Sequence, residues 1–418
     1  MPIEISIVGK AVESGFYKGA FNLAVVIAGL GYFVDTYDFF LYNGMRVTSL
    51  AEMGLSGDSL TKIGILILNS QIFGALIGSF VWGMIGDRIG RKKGLLGSIL
   101  IYSLGMIANG FVQDPLLYGI VRFIIGFGVA GEVGLGATLI AETVHASKRT
   151  YALMFFTVMG VLGVTVAGAS IEFASWRTSC FVGGVIGLLL LTLRGSLFES
   201  RLFIETAGQN IRRGSLRDLC GQSRNLKKYL LCVPLLGANF FITGILLTLS
   251  PEIAKATGTP EAIKANIALA VYFLAAVAGD WLGAWLSNAF KSRRLVTALF
   301  IAGNLCLAYL FLQKLSLDAF RFYALCAAFG VFNLWAITGT IVVEQFPTEL
   351  RATATTSNFN CSRATVILMN MSLLALKPTI GITNGLLIVG CAVFATAFYC
   401  VWRLPETYGC SLTDQTSV

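Results

Sequence analysis

The sequence has little charge, one histidine and no spaced pairs of cysteines. Asp, Glu, Lys and Arg make up 13% of its 418 residues, about half of the roughly 25% found in soluble domains. So little charge excludes a water-clad globule. His145 stands alone in a basic stretch and cannot build a metal site by itself. The nine cysteines, Cys180, Cys306, Cys326, Cys391 and Cys400 among them, lie mostly within apolar runs. They read as small packing residues, with no disulfide framework or metal site. No metal-ligand cluster, phosphate-binding loop or nucleophile with a partnering base is legible, so an enzyme is not expected, nor a cofactor. The strand alternation of an outer-membrane barrel is also missing. Residues up to Ala20 are polar, with Glu4 and Glu13, and the apolar run after them is too long for the core of a cleavable signal peptide.

What is present is long apolar runs. The chain is 56% hydrophobic, and the runs reach helix length for a hydrocarbon core of ~30 Å. The reading is an all-α, multi-pass membrane protein. Twelve spanning helices are expected over 20–43, 62–86, 93–112, 115–142, 150–171, 178–195, 229–250, 264–289, 294–313, 318–343, 352–375 and 380–403. They form two six-helix bundles, 1–198 and 229–403. A cytoplasmic linker, 199–228, carries Arg201, Arg212, Arg213, Arg217, Arg224, Lys227 and Lys228, and a tail covers 404–418. The net charge of +9 falls mainly on one side of these helices. That asymmetry is the positive-inside pattern, so the basic balance orients the chain with both termini cytoplasmic and implies no nucleic acid.

The two halves repeat. Glu142 and Arg149 follow the fourth run, and Glu344 and Arg351 follow the tenth with the same spacing, 202 positions later. Gly86-Asp87 and Lys92-Lys93 correspond, 201 positions on, to Ser287-Asn288 and Arg293-Arg294. Glu142 and Glu344 each end a helix, where each can bind loop cations when the cytoplasmic side is closed.

An ionisable side chain in hydrocarbon costs on the order of 2.5–3.5 kcal/mol even on the lenient insertion scale, so each needs a reason. Asp35 and Asp38 share one face of the first helix. Arg122, on the fourth, lies at a matching depth and is expected to pair with one of them. Two neighbouring carboxylates push one pKa up far enough to carry a proton. For Asp38 a plain helix-end cap is the alternative. Glu132, within Gly126-Phe127-Gly128-Val129-Ala130-Gly131-Glu132-Val133-Gly134-Leu135-Gly136, reads as a cavity-facing acid, a second proton station or a substrate ligand; the alternative is a buried acid bonded to a hydroxyl of the first or second helix. Its counterpart in the second half is Asn333, and that of Asp38 is Asn239, so titratable chemistry concentrates in the first half. Asp280 sits near Trp281 and Trp285. Arg363 lies amid Asn358, Asn360 and Ser362 and reads either as an anion ligand, its planar fork matching a carboxylate, or as a partner of Asp280 or Glu132. Phe240, Phe241, Phe332 and Trp335 are candidate cavity-lining aromatics.

Between the second and third apolar runs lies Gly83-Met84-Ile85-Gly86-Asp87-Arg88-Ile89-Gly90-Arg91-Lys92-Lys93, read as a short cationic loop. Its GDRIGRKK resembles the signature loop of the major facilitator superfamily, where it serves as a conformational latch. Asp35-Thr-Tyr-Asp-Phe-Phe-Leu-Tyr42, Arg122-Phe-Ile-Ile-Gly126, Ala130-Gly-Glu132 with Glu142, and Glu344-Gln-Phe-Pro-Thr-Glu-Leu-Arg351 fall in superfamily order. Together they look most like the metabolite:proton symporters. Leu404-Pro-Glu-Thr-Tyr-Gly409 is similar to the sugar-porter tail. Phosphate:proton symporters are similar through Asp35 and Asp38, but have no match at Asn239 or at Glu132-Val133-Gly134. The resemblance implies the major facilitator fold, parallel repeats with a solute site near the bilayer midplane, and alternating access. Asp35, Asp38, Arg122 and Glu132 would handle protons. Arg363, Asn239, Asn333, Trp335 and Asn360 would hold solute. Gly83, Asp87, Arg88, Gly90, Arg91, Glu142, Arg149, Glu344 and Arg351 would gate. The expected function is proton-coupled uptake of a small organic anion by a monomer in a bacterial inner membrane. The alternatives are proton-driven export of a drug or siderophore, phosphate symport, and a non-transporting solute sensor.

Overall fold

The computed structural model describes residues 22–145, 148–195, 216–261, 263–313 and 316–409. Among them every regular element is helical. In order these are α1 Leu23–Glu52, α2 Gly57–Ile89, α3 Arg91–Gly110, α4 Pro115–Thr143, α5 Arg149–Phe173, α6 Trp176–Gly195 and the short α7 Leu216–Gly221. Then come α8 Ser223–Phe241 with a π-helical turn Ile242–Leu246, α9 Ser250–Thr257, α10 Ala265–Ala289, α11 Arg293–Phe311, α12 Ala319–Val331, α13 Trp335–Glu344 and α14 Arg351–Arg403. Ten stretches among the described residues are long and apolar enough to cross a membrane.

Local chemistry sets several starts. The side chains of Asn22, Asp114, Ser292 and Asp318 accept the backbone N–H of Val25, Leu117, Leu295 and Arg321 at 2.9–3.1 Å, satisfying one orphan donor at each helix N-terminus. Pro115, at the first position of α4, has no N–H to satisfy. At the far end of α1, Glu52 accepts from the Trp176 indole and the Arg177 guanidinium, and those hydrogen bonds hold its pKa below the usual carboxylate value. The faces are inverted relative to a soluble protein. Leu116, Phe173, Leu274 and Phe320 are 74–88% exposed, whereas Asp38, Arg91, Arg122 and Arg351 are fully enclosed. Apolar surface meets lipid, and polar groups find partners inside.

The described residues form two compact units. The first holds α1 to α6 together with Phe346–Ser357; the second runs from Arg217 to Gln345 and from Asn358 to Gly409. Within the first, Phe346–Ser357 is held by Asp87, whose carboxylate accepts the N–H groups of Ala352 and Thr353 at 3.0 and 2.8 Å.

The structure differs from the sequence reading in three respects. First, α1 runs on to Glu52 instead of ending near residue 43. About 21 Å of helix therefore follows Asp38, which cannot be an end cap. Second, the cationic signature is not a loop. α2 runs through Ile89 and α3 begins at Arg91, leaving Gly90 alone at φ 114°, a conformation open to glycine and costly for other residues. Third, the tenth predicted helix is broken between Val331 and Trp335, and the seventh gives way at Phe241 to the π turn. The last two predicted helices are both present: α14 is two helical arms that meet at Gly381 (φ 80°), where the backbone leaves helical geometry. Residues 20 and 21 of the first predicted helix, 199–215 of the linker and 410–418 of the tail lie outside the described residues.

Candidate functional site

In the first unit, α1 and α4 bring Asp38 and Arg122 together. Arg122 Nη1 donates to Asp38 Oδ1 at 2.8 Å with both side chains fully buried. The other carboxylate oxygen accepts from Gln71 Nε2 of α2, also at 2.8 Å. The guanidinium lies over Tyr42 and Tyr118, 4.6 and 5.6 Å from the ring centroids; such faces attract a cation. Asp35, one turn before Asp38, is 1% exposed. A buried pair of this kind is costly to break one-sidedly, about 3–5 kcal/mol, because the survivor is left charged and unpaired.

Glu132 has a different setting. It is 2% exposed. Arg194, at the end of α6, grips both of its oxygens, with Nη1 to Oε1 at 2.8 Å, and Ser98 of α3 donates to Oε1 at 2.7 Å. The partner is thus a guanidinium and a hydroxyl together, and Arg194 also donates to the Leu95 carbonyl at 3.0 Å. One carboxylate ties α3, α4 and α6.

The gating candidates assemble around Glu142, whose Oε1 takes Arg91 Nη2 at 3.0 Å and Arg351 Nη1 at 2.8 Å. Arg91 also donates to the Gly86 and Thr348 carbonyls at 3.1 and 2.6 Å. Gly83 is needed for approach, since a Cβ there would stand 2.6 Å from Thr353 Cα. Arg149 Nε donates to the Ala141 carbonyl at 2.9 Å, and Arg88 is exposed. Glu344 falls in the second unit and pairs with Arg293 at 3.0 Å. Arg91–Glu142 and Arg293–Glu344 are the same buried pair at the same offset, one residue out of the register in which Lys92-Lys93 meets Arg293-Arg294.

In the second unit, four of the five solute candidates fall into two groups. Tyr272 Oη of α10 lies 3.1 Å from Asn239 Oδ1 and 3.0 Å from Asn333 Oδ1. Asn333, in the break between α12 and α13, donates Nδ2 to Asp280 Oδ1 at 2.9 Å. Trp335 packs edge-on to Phe240 at 5.6 Å and against Phe359 at 5.3 Å, and the half-buried Arg363 lies 5.9 Å from the Phe240 ring. Asn360 is 7% exposed on the same helix as Arg363. Glu406, just after α14, caps α11. Burial pushes its carboxyl up, but hydrogen bonds from Ser292 and from the backbone of Arg293, Tyr408 and Arg294 outweigh this and hold it below the usual value.

The sequence reading missed Gln71, Arg194 and Tyr272. Gln71 carries a usable signal, an amide in the middle of an apolar run. Arg194, at a helix end, looks like any topogenic cation, and Tyr272 looks like packing.

Comparison with known proteins is consistent along the chain. The family model for the Major Facilitator Superfamily matches residues 28–369. A gentisate transporter of Corynebacterium glutamicum is 26% identical over 95% of this chain and 91% of its own length. The sialic acid transporter NanX of Escherichia coli is 25% identical over 81% of this chain and 82% of its own. Among solved structures, the proton:xylose symporter XylE superposes with a TM-score of 0.77 at 18% identity, covering 94% of this chain and 98% of that one.

Proposed function

This chain belongs to the Major Facilitator Superfamily, as a transporter and not an enzyme, and from that premise we propose that it takes up a small organic anion together with protons by alternating access. The observation that carries the reading is the fully buried Asp38–Arg122 pair, with Gln71 on the second carboxylate oxygen. A proton arriving on Asp38 cancels its charge and leaves Arg122 a buried cation over two tyrosine rings. That state is poor, so protonating Asp38 biases the transporter between the two states of its cycle, and proton and anion are coupled through that equilibrium. Arg363, beside Phe240, is the proposed anion ligand, with Trp335, Asn239, Asn333 and Asn360 shaping the solute's surroundings. The relatives' names support the class, since gentisate and sialic acid are both organic acids.

Proton handling goes to Asp35 and Asp38, and we assign Glu132 a different role, as a carboxylate held by Arg194 that keeps its helices in register. The bonds from Asp87, Arg91 and Glu142 to residues 348–353 form the proposed gate: made in one state of the cycle, they are broken in the other. Twelve membrane crossings, cytoplasmic termini, a monomer and a bacterial inner membrane complete the reading.

The test is external pH in proteoliposomes holding the purified protein. Gentisate, sialic acid and inorganic phosphate are added outside in turn. Alkalinisation specific to one organic acid is the expected result. Alkalinisation by phosphate alone assigns the substrate otherwise, and extrusion of a dye driven by an inward proton gradient, with no alkalinisation, replaces uptake by export.

A further inference from the structure

Asp280 is a buried acid that the proton site of the first unit does not use. It is 2% exposed and lies at the N-terminal end of the half-helix α13, where Ala336 N–H donates to its Oδ1 at 3.3 Å. An ionisable group at this depth marks function more often than packing. Through Asn333 and Tyr272 it connects to Asn239. The chain therefore joins two irregular places in this unit, the break before Trp335 and the stretch where α8 passes into its π turn. Broken and π-bulged helices cluster at functional sites.

Proton accounting shows why this chain has two forms. The Tyr272 hydroxyl carries one proton, yet two amide oxygens lie within 3.1 Å of it. With Asp280 ionised, Asn333 Nδ2 donates to the carboxylate. Its Oδ1 then takes the phenol proton, and Asn239 must turn its NH2 to the phenol oxygen. With a solvent proton on Asp280, the carboxylic O–H donates to Asn333 Oδ1. Asn333 Nδ2 now donates to the phenol oxygen, and the phenol proton goes to Asn239 Oδ1. This second form gives up the long 3.4 Å bond from Trp335 N–H to Asn333 Oδ1. Hydrogen bonds in such chains polarise one another, so a change at one end reaches the other.

We infer that Asp280 is a second titrating acid of this transporter, and that its protonation reverses the chain Asp280–Asn333–Tyr272–Asn239 and so changes which face of Asn239 is offered to a solute. The inference rests on the proposed solute role of Asn239. The facing groups are Tyr272, which shares Asn333 with Asp280, and the N-terminal dipole of α13. The charged groups on the elements packed against α10 are Arg293, Glu344, Arg294, Glu252, Lys255 and Arg321. Arg293 pairs with Glu344, and Arg294 lies over Trp402. Glu252, Lys255 and Arg321 are exposed.

Infrared pH-difference spectra of the purified full-length protein in lipid test this without any solute. The expected wild-type spectrum gains a carboxylic-acid band as pH falls, together with a change in the asparagine amide bands. Asp280→Asn loses one component of the acid band together with the amide change, whereas Asp38→Asn loses a different acid component and keeps the amide change. Tyr272→Phe keeps the acid band and loses the amide change, because the chain is cut. Superimposable wild-type and Asp280→Asn spectra across the pH range would overturn the inference, as would an unaltered amide change in Tyr272→Phe. Failure of the transport reading shows separately, as solute-free bands that behave as expected while no organic acid alkalinises the proteoliposome medium.

Discussion

In the first unit Asp38 meets a guanidinium, with an amide on its other oxygen, whereas in the second Asp280 meets an amide NH2 and a backbone N–H. The units share a pattern, down to the paired Arg91–Glu142 and Arg293–Glu344. Their buried acids nevertheless face different chemistry. Protonating Asp38 strands a cation and changes the charge balance of its surroundings. Protonating Asp280 redirects hydrogen bonds among neutral groups. One arrangement suits energetic coupling to an anion; the other suits a change in what a solute meets.

The contrast can be broken at Arg122. Arg122→Ala leaves Asp38 buried without its cation and should cost about 3–5 kcal/mol of stability, abolishing uptake; thermal unfolding in detergent and proteoliposome uptake read both. Tyr272→Phe in the second unit should unfold within about 1–2 kcal/mol of wild type, since only hydrogen bonds are lost. Equal destabilisation by the two variants would erase the distinction.

Next in size is Gly83→Val, which forces atoms into the 2.6 Å space before Thr353 Cα. Backbone cannot yield as a side chain can, so residues 346–357 should be displaced at about 1–3 kcal/mol. A cysteine placed at Thr353 in that background should label faster with a thiol reagent than in the parent; unchanged labelling would remove Gly83 from the gate.

Glu132→Gln separates two carboxylates within one unit. It should lower thermal stability, because Arg194 loses one of the two oxygens it holds, while solute-driven alkalinisation persists. Loss of alkalinisation with stability intact would return Glu132 to the proton path.

The smallest effect is expected at Glu406, outside the membrane. Its pKa is lowered on folding, so its contribution is present above the ordinary carboxylate range and fades as pH falls through the folded value. Glu406→Gln should therefore lower the melting temperature at neutral pH by about 2–4 °C, with the gap closing in acid. A constant gap would mean the charge is not what stabilises the cap.

Much of this was legible in the sequence because lipid imposes simple rules. Apolar runs became helices, and Arg122 found Asp38 because matched depth and opposite charge leave few options in hydrocarbon. Helix ends were harder. α1 continues past residue 43 because polar Asn43 and Arg46 need not end a helix whose backbone bonds close internally. Gly90 alone turns the chain, which composition reads as a loop. The break at Asn333 has no proline to announce it, and its partner Asp280 lies 53 positions earlier, beyond any local pattern. Arg194 was hidden by its position at a helix end, where a cation ordinarily faces water.

The most direct measurement compares Asp38→Asn with wild type in proteoliposomes, following proton movement and solute counterflow on the same preparation, with the organic acid that alkalinises the wild-type medium. The account predicts that the variant still exchanges solute across the membrane but no longer raises external pH. A variant that exchanges solute and alkalinises the medium as wild type does would contradict the claim that Asp38, through Arg122, couples this transporter to protons.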